Sequence, residues 1–114
     1  MIRVKRVYEA ASSEDGARVL VDRLWPRGVS KDAARLDWWA RELAPSDALR
    51  KRFHHDPERY EEFVAAYRAE LEGNAAVARI RAMAGGGPVT LLFAARDEAR
   101  NNATALAEIL ASLH

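Results

Sequence analysis

The apolar run at residues 89–94, VTLLFA, constrains the fold of this chain more than any other feature. Its apolar side chains do not alternate with polar ones, which is typical of a strand covered on both faces in a parallel sheet. A second run of the same kind, RVLVD, occupies residues 18–22. The two runs predict an α/β fold in which a mostly parallel sheet is flanked by helices.

The length of 114 residues is that of one ordinary domain, so we expect a small single α/β domain over residues 1–114. Ile2, Val4 and Val7 predict a further strand at the start of the chain. The stretch between this strand and the run at 18–22 is shorter than a parallel crossover normally needs. The two strands could therefore form an antiparallel hairpin or be joined by one cramped helical turn, and the strand order stays open.

A first helix is indicated between Ser30 and Leu43. Ser30 can cap its start, and Leu36, Trp39 and Leu43 follow at near-helical spacing. Two neighbouring tryptophans cannot share one helix face, so either Trp38 or Trp39 is expected to be exposed.

Stronger helix signals follow along the chain. Ser46 can cap a short helix that reaches His54. Residues 56–58, DPE, supply a capping carboxylate, a proline suited to the first helical position and an acid near the positive end of the helix dipole. Gly73 is a natural terminator of that helix, and Asn74 can cap the next one. The expected core-facing side chains of these helices are Tyr60, Phe63, Val64, Tyr67, Leu71, Val77, Ile80 and Met83.

Charge and cysteine content exclude several classes of function. Eighteen Lys and Arg against seventeen Asp and Glu give a net charge of +1, so no overall field draws the protein to nucleic acid or to an acidic membrane. The chain has no cysteine, which excludes a disulfide framework and fits a reducing compartment. Neither a secretory signal nor a membrane-spanning run is recognisable, and we expect a cytoplasmic protein.

Both apolar runs end in charged segments, DRLWPRG at 22–28 and ARDEARNN at 95–102. Open α/β sheets bind ligands beyond the carboxyl ends of their strands. If the two strands are parallel neighbours, these segments converge on one crevice. A last helix beginning near Glu98 would direct unpaired backbone donors into that crevice, where arginines could add charge-assisted hydrogen bonds. Its core-facing side chains are Leu106, Ile109, Leu110 and Leu113.

This pattern favours a small phosphorylated or carboxylated ligand, a nucleotide being one such ligand. The candidate ligand-binding residues are Arg23, Trp25, Arg27, Arg96, Asn101 and Asn102. The candidates for a catalytic or orienting carboxylate are Asp22 and Asp97. The same charges could instead form ion pairs that only satisfy one another at the strand ends. The residues do not decide whether the protein is an enzyme.

No cofactor or metal ion is expected. His54 and His55 point apart on a helix, Asp56 is needed as a cap, and no third ligand stands near them. The serines lack the surroundings of a nucleophile elbow, and the glycine-rich GGGP at 85–88 lacks the ending of a phosphate-binding P-loop.

Two other kinds of function remain open. The protein could be a nucleic-acid-binding or regulatory module in which a basic strip acts with a stacking tryptophan. That strip would consist of Arg41, Arg50, Lys51, Arg52 and Arg59. Alternatively, the chain could be a homo-oligomeric interaction protein without a ligand, associating through an exposed Trp38 or Trp39. The near-zero net charge disfavours the first of these alternatives, because binding to nucleic acid relies on many cationic contacts.

Three segments together resemble a known family: RVLVDRLWPRG, then LAPSDALRKRFHHDPERYEEFVAAY, then GPVTLLFAARDEARNN. On these segments the chain is similar to the domain-of-unknown-function family 488, in its short YeaO-like branch. The resemblance implies an α/β fold with a mostly parallel sheet, and it implies no established activity.

Two departures from the pattern of that family bear on function. Longer members carry a Cys-His-Arg group near the position of residues 100–102, and this chain has no cysteine for thiol chemistry. Short members usually have His-Asn-Asn there, whereas this chain has Arg100 before the two asparagines. An arginine at this point favours anion binding over a mechanism that depends on histidine.

Overall fold

A computed structural model describes residues 1–53 and 56–113. Within them the sheet has four strands, β1 (Ile2–Arg6), β2 (Ala17–Leu20), β3 (Trp38–Trp39) and β4 (Val89–Phe93). The strand order is β1-β4-β2-β3, and every neighbouring pair is parallel. All five residues of β4 are buried. The predicted α/β fold with a mostly parallel sheet is confirmed.

The first two strands are separated in the sheet by β4, so the hairpin alternative is wrong. Val4 of β1 and Val19 of β2 flank Leu91 of β4 on opposite sides. A short 3-10 turn at Ser13–Asp15 makes the link, as the alternative of a cramped helical turn proposed. Gly16 has φ +64°, and a Cβ atom there would lie 2.1 Å from the carbonyl oxygen of Pro88.

Five helices lie within the described residues: α1 (Lys31–Ala34), α2 (Asp47–Phe53), α3 (Tyr60–Leu71), α4 (Ala75–Gly85) and α5 (Asn102–Ala111). The predicted caps of the first four helices are confirmed. Ser30, Ser46 and Asn74 accept backbone N–H groups of the first turns of α1, α2 and α4. Asp56 caps a 3-10 turn that leads directly into α3. His54, the predicted end of α2, lies outside the described residues.

The predicted helix from Ser30 to Leu43 is wrong. It ends after one turn, because Arg35 adopts the left-handed conformation with φ +46°. The chain then extends as β3, in which Trp38 pairs with Val19 of β2. The near-helical spacing of its apolar residues was therefore coincidental, since aromatic residues suit strands and these two join the sheet. Neither Trp38 nor Trp39 is exposed.

Helices and a loop cover opposite faces of the sheet. Val19, Val21, Leu91 and Phe93 belong to the main core, which the apolar faces of α2 to α5 complete. Leu20 and Leu92 face the other way and, with Val7, form a smaller cluster. That cluster is covered by Trp25, Val29, Leu36 and Trp39. The segment after β2 is thereby fixed against the sheet by packing.

The second face also holds a buried charge cluster centred on Asp15, which is 5% exposed. Its carboxylate forms salt bridges with Lys5 and with Arg18, and it accepts the backbone N–H of Ser12. Burial alone would raise the pKa of Asp15, but the hydrogen bonds from Ser12, Lys5 and Arg18 outweigh it and lower the pKa. The cluster joins β1 to β2 across the central strand.

We expect the substitution Asp15→Asn to lower the free energy of unfolding at pH 7 by about 3–5 kcal/mol, because it leaves the buried Arg18 guanidinium without its counter-charge. Urea denaturation followed by circular dichroism measures this difference. Glu72→Gln, which removes a charge from an exposed residue, is the control and should change stability by less than about 0.5 kcal/mol.

The pH dependence of stability in the wild type and in Asp15→Asn gives a second test. Because the folded-state pKa of Asp15 lies below its unfolded value, its stabilisation is present above about pH 4 and is lost as the pH falls through the folded pKa. The stabilities of the wild type and Asp15→Asn should therefore converge in acid. A constant difference down to pH 2 would contradict the ionic role of Asp15.

Candidate functional site

A cleft of about 420 Å³ opens beyond the carboxyl ends of β2 and β4. The two strands are parallel neighbours, so the segments 22–28 and 95–102 emerge at the same edge of the sheet. Helices α2 and α3 contribute the opposite wall. Aromatic rings and cations share the lining: Tyr8, Trp25, Phe53, Tyr60 and Phe63, with Arg23, Arg27, Arg50 and Arg100.

The structure brings most of the predicted site residues together. Residues that line the cleft are Asp22, Arg23, Trp25, Arg27, Asp97, Asn101 and Asn102. Arg96 is exposed and lies outside the lining, although it belongs to the same segment as Asp97. Sequence reasoning did not assign Tyr8, Phe53, Tyr60 or Phe63 to the site, because ring residues at helical spacing are indistinguishable from core residues.

Asp22 connects the three elements that meet at the base of the cleft. Its Oδ2 accepts the backbone N–H of Ala94 at 2.9 Å, just after β4. Its Oδ1 accepts from Nδ2 of Asn102 at 2.8 Å, and the same nitrogen donates to the carbonyl oxygen of Val21. Burial raises the pKa of Asp22, against the opposing effect of these hydrogen bonds. The carboxylate is thus engaged in holding the ends of β2, β4 and α5 together.

Asp97 holds the segment between β4 and α5. Its carboxylate accepts the backbone N–H groups of Ala99 and Arg100 at 3.0 and 2.9 Å. These two bonds, that of Arg100 first, lower the pKa of Asp97. An exposed carboxylate with a lowered pKa is a poor general base at neutral pH.

Helix α5 begins at Asn102, so the prediction of a start near Glu98 is wrong. The physical reason is that Asp97 folds the following residues into a turn, after which Asn101 caps the helix. Oδ1 of Asn101 accepts the N–H of Thr104 at 2.8 Å. Its Nδ2 donates to the carbonyl oxygens of Asp97 and Glu98. The amide groups predicted to contact a ligand are therefore engaged with the protein itself.

The end of β1 supports both segments of the cleft. Arg6 donates to the carbonyl oxygens of Ala94 and Ala95 at 3.1 and 2.9 Å. Its guanidinium lies 5.0 Å from the ring centre of Tyr8, and the Tyr8 hydroxyl donates to the carbonyl oxygen of Arg27. The two segments are connected through these contacts.

The segment 22–28 is fixed from below by two tryptophans. Nε1 of Trp25 donates to the carbonyl oxygen of Val29, and Nε1 of Trp39 donates to that of Asp22. The two rings pack edge to face with centres 5.2 Å apart. Gly28 provides the turn that returns the chain, with φ +78°.

Arg27 and Arg100, two of the four arginines that line the cleft, form no salt bridge within the described residues. Within residues 1–53 and 56–113, Asp22 forms no salt bridge with Arg23 or Arg27, and Asp97 forms none with Arg96. The interpretation of these groups as mutual ion pairs is therefore wrong. Arg23 and Arg50 approach the exposed carboxylate of Asp47, which does not line the cleft.

The cations of the predicted basic strip lie against different neighbours. Arg41 stacks 3.8 Å from the ring centre of Trp39. Arg52 and Arg59 lie over the ring of Phe53 at 5.1 and 4.6 Å. Arg50 faces the cleft. Trp38 is buried and Trp39 is half-buried, so neither presents an exposed ring for contact between subunits.

In the described part of the chain, no helix has both the length and the apolar character that crossing a membrane requires. Nor do the described residues contain a group of three or more His, Asp or Glu side chains placed to hold a metal ion. The histidines considered for a metal, His54 and His55, lie outside the described residues.

Residues 1–114 match the family model described as the inactive DUF488-N3 subclade. The chain is 47% identical over 109 residues to an uncharacterized protein of Mycobacterium tuberculosis, an alignment that covers 96% of this chain and 92% of that protein. It is 44% identical over 117 positions to the uncharacterized protein YeaO of Escherichia coli K12, which covers 98% of each. No solved structure matches the chain.

We expect Asn102→Asp to destabilise the protein more at pH 7 than at pH 4. The new carboxylate would lie beside that of Asp22 and, when ionised, would donate no hydrogen bond to it or to Val21. The expected loss in free energy of unfolding is about 2–3 kcal/mol at pH 7. A proton shared by the two carboxyl groups restores a donor at pH 4, because repulsion between neighbouring carboxylates raises the pKa of the pair's second ionisation. This stabilisation is lost as the pH rises through that pKa.

Chemical denaturation at the two pH values measures the effect. Ser30→Asp is the control, because it also places a carboxylate at a helix N-terminus and Asp caps a helix about as well as Ser, which caps α1 here. An equal loss for Asn102→Asp at pH 4 and pH 7 would show that Asp22 is not the partner that matters.

Proposed function

The chain belongs to the inactive DUF488-N3 subclade of the DUF488 family and is a relative of YeaO, and we propose that its cleft binds a small anionic ligand. The ligand carries a phosphate or carboxylate together with a planar or apolar part, as a nucleotide does. One observation carries the proposal: four arginines and five aromatic rings line the same cleft of about 420 Å³. That volume is within the range of small-molecule sites.

The arrangement suits both parts of such a ligand. Guanidinium groups form bidentate, charge-assisted hydrogen bonds with phosphate and carboxylate oxygens. Trp25 and Tyr60, which are half-buried, and the exposed Tyr8 offer ring faces or edges against which a planar group can pack. A cleft at the carboxyl ends of parallel strands is also the usual ligand position in open α/β sheets.

We propose binding without catalysis. Both carboxylates considered for catalysis already accept hydrogen bonds from the protein, Asp22 from Ala94 and Asn102, and Asp97 from Ala99 and Arg100. Their role is to shape the cleft. The description of the subclade as inactive supports the same choice. We place this binding in the cytoplasm, in keeping with a chain that has no cysteine.

The double substitution Arg27→Ala, Arg100→Ala should weaken binding of AMP at least tenfold, because it removes two of the four positive charges that line the cleft. Both residues are exposed, so the fold should tolerate the change. Isothermal titration calorimetry with AMP, benzoate and uncharged adenosine measures the affinities. In the wild type, AMP should bind at least tenfold more tightly than adenosine.

Arg96→Ala is the matched control, since Arg96 is an exposed arginine of the same segment that does not line the cleft. Its affinity for AMP should stay within about twofold of the wild type. Wild-type protein that binds neither AMP nor benzoate, or that binds adenosine as tightly as AMP, would overturn the proposed function.

A further inference from the structure

Arg23 and Arg50 lie beside a carboxylate at the edge of the cleft. Oδ1 of Asp47 is 3.2 Å from Nη1 of Arg50 and 4.0 Å from Nε of Arg23. Both arginines line the cleft, whereas Asp47 does not. One carboxylate oxygen is thus the shared neighbour of two cations that face the proposed ligand.

The contacts of Asp47 are easily exchanged. Its side chain is 67% exposed, and salt bridges between exposed side chains add little stability because water and salt screen them. The distance between Oδ1 of Asp47 and Nε of Arg23 is at the limit of an ion pair and is too long for a hydrogen bond. Nε of Arg23 is shielded from water and has no hydrogen-bond acceptor among the described residues. A better acceptor than Asp47 would therefore gain a contact that the protein leaves unmade.

We infer that Arg23 and Arg50 form the subsite for the anionic group of the ligand, and that Asp47 is a competitor built into the chain. This inference rests on the proposed function. Asp47 occupies the two guanidinium groups when the cleft is empty and is displaced when the ligand binds. The carboxylate of Asp47 lowers the affinity of the cleft for every anion. Only a ligand that binds Arg23 and Arg50 more strongly than Asp47 does can displace it.

The competitor also selects the class of anion. A ligand with a single carboxylate offers the arginines the same group that Asp47 offers, and Asp47 acts at the high effective concentration of a group on the same chain. A phosphate monoester carries up to two charges and three terminal oxygens, enough to reach both arginines. The preferred ligand is therefore a phosphate monoester rather than a monocarboxylate.

The substitution Asp47→Asn tests the competitor. It should tighten binding of AMP at least threefold, measured by calorimetry at low ionic strength, and the gain should shrink as salt is added. Asp32→Asn is a matched control, because Asp32 is also an exposed aspartate in the first turn of a helix and lies outside the cleft. Asp32→Asn should leave the affinity for AMP unchanged, which separates the local effect from the change in net charge.

A double-mutant cycle separates competition from a purely structural role of Asp47. Arg50→Ala should weaken binding, and in that background Asp47→Asn should give a smaller gain than in the wild type. Thermal unfolding of each variant checks that the fold persists. An equal gain with and without Arg50 would overturn the inference.

The choice of anion is tested with AMP and 5′-carboxymethyl-5′-deoxyadenosine, in which –CH2–COO⁻ replaces –O–PO3²⁻ at the same distance from the ribose. The wild type should bind AMP at least tenfold more tightly, and equal affinities would overturn the assignment to phosphate monoesters. One outcome separates the two proposals. The wild type binds AMP, the Arg27→Ala, Arg100→Ala variant binds it at least tenfold more weakly, and Asp47→Asn binds it no more tightly than the wild type. In that case the inference fails and the proposed function stands. If the wild type binds no anion, both fail.

Discussion

The carboxylate of Asp22 is the group on which the geometry of the cleft depends. It accepts one hydrogen bond from the backbone after β4 and another from the first residue of α5, while it stands itself at the end of β2. Burying this carboxylate is unfavourable, as its raised pKa indicates. The hydrogen bonds of Asp22 offset this cost and hold the ends of β2 and β4 and the start of α5 together. The two charged segments therefore leave the sheet side by side.

That arrangement was predictable to the extent that it follows from strand burial. The apolar runs at 18–22 and 89–94 identify strands covered on both faces, which are typical of parallel sheets. That the two strands are neighbours was left open by the sequence and is decided by the fold. The caps Ser46 and Asp56 were equally readable, because a cap is decided by one side chain and the backbone two or three residues away. Local interactions of this kind leave a direct signal in the sequence.

Other features depend on contacts that no local pattern encodes. Trp38 and Trp39 were placed in a helix because their neighbours have helical spacing, yet pairing with β2 and packing on Trp25 decide their conformation. The start of α5 was misplaced because Asp97 and Asn101 are both good capping residues, four positions apart. Asp97 closes a turn and Asn101 caps the helix, a division that only the surrounding fold determines.

The residues that form the walls of the cleft were also not predictable from local sequence patterns. Phe53, Tyr60 and Phe63 come from α2 and α3, far along the chain from the charged segments, so their presence in the site follows only from how the helices pack. Arg96 and Arg100 belong to one segment, but only Arg100 lines the cleft.

The groups that shape the site and the groups left to contact a ligand are different ones. Asp22, Asp97 and Asn101 have their hydrogen bonds within the protein. By contrast, Arg27 and Arg100 form no salt bridge within the described residues. Because the acidic and amide groups hold the backbone in place before any ligand arrives, binding needs little ordering of the segments. In this cleft, Arg27 and Arg100 are unpaired within the described residues, and the carboxylates of Asp22 and Asp97 already accept hydrogen bonds from the protein. Such a cleft is better suited to holding an anion than to transferring a proton.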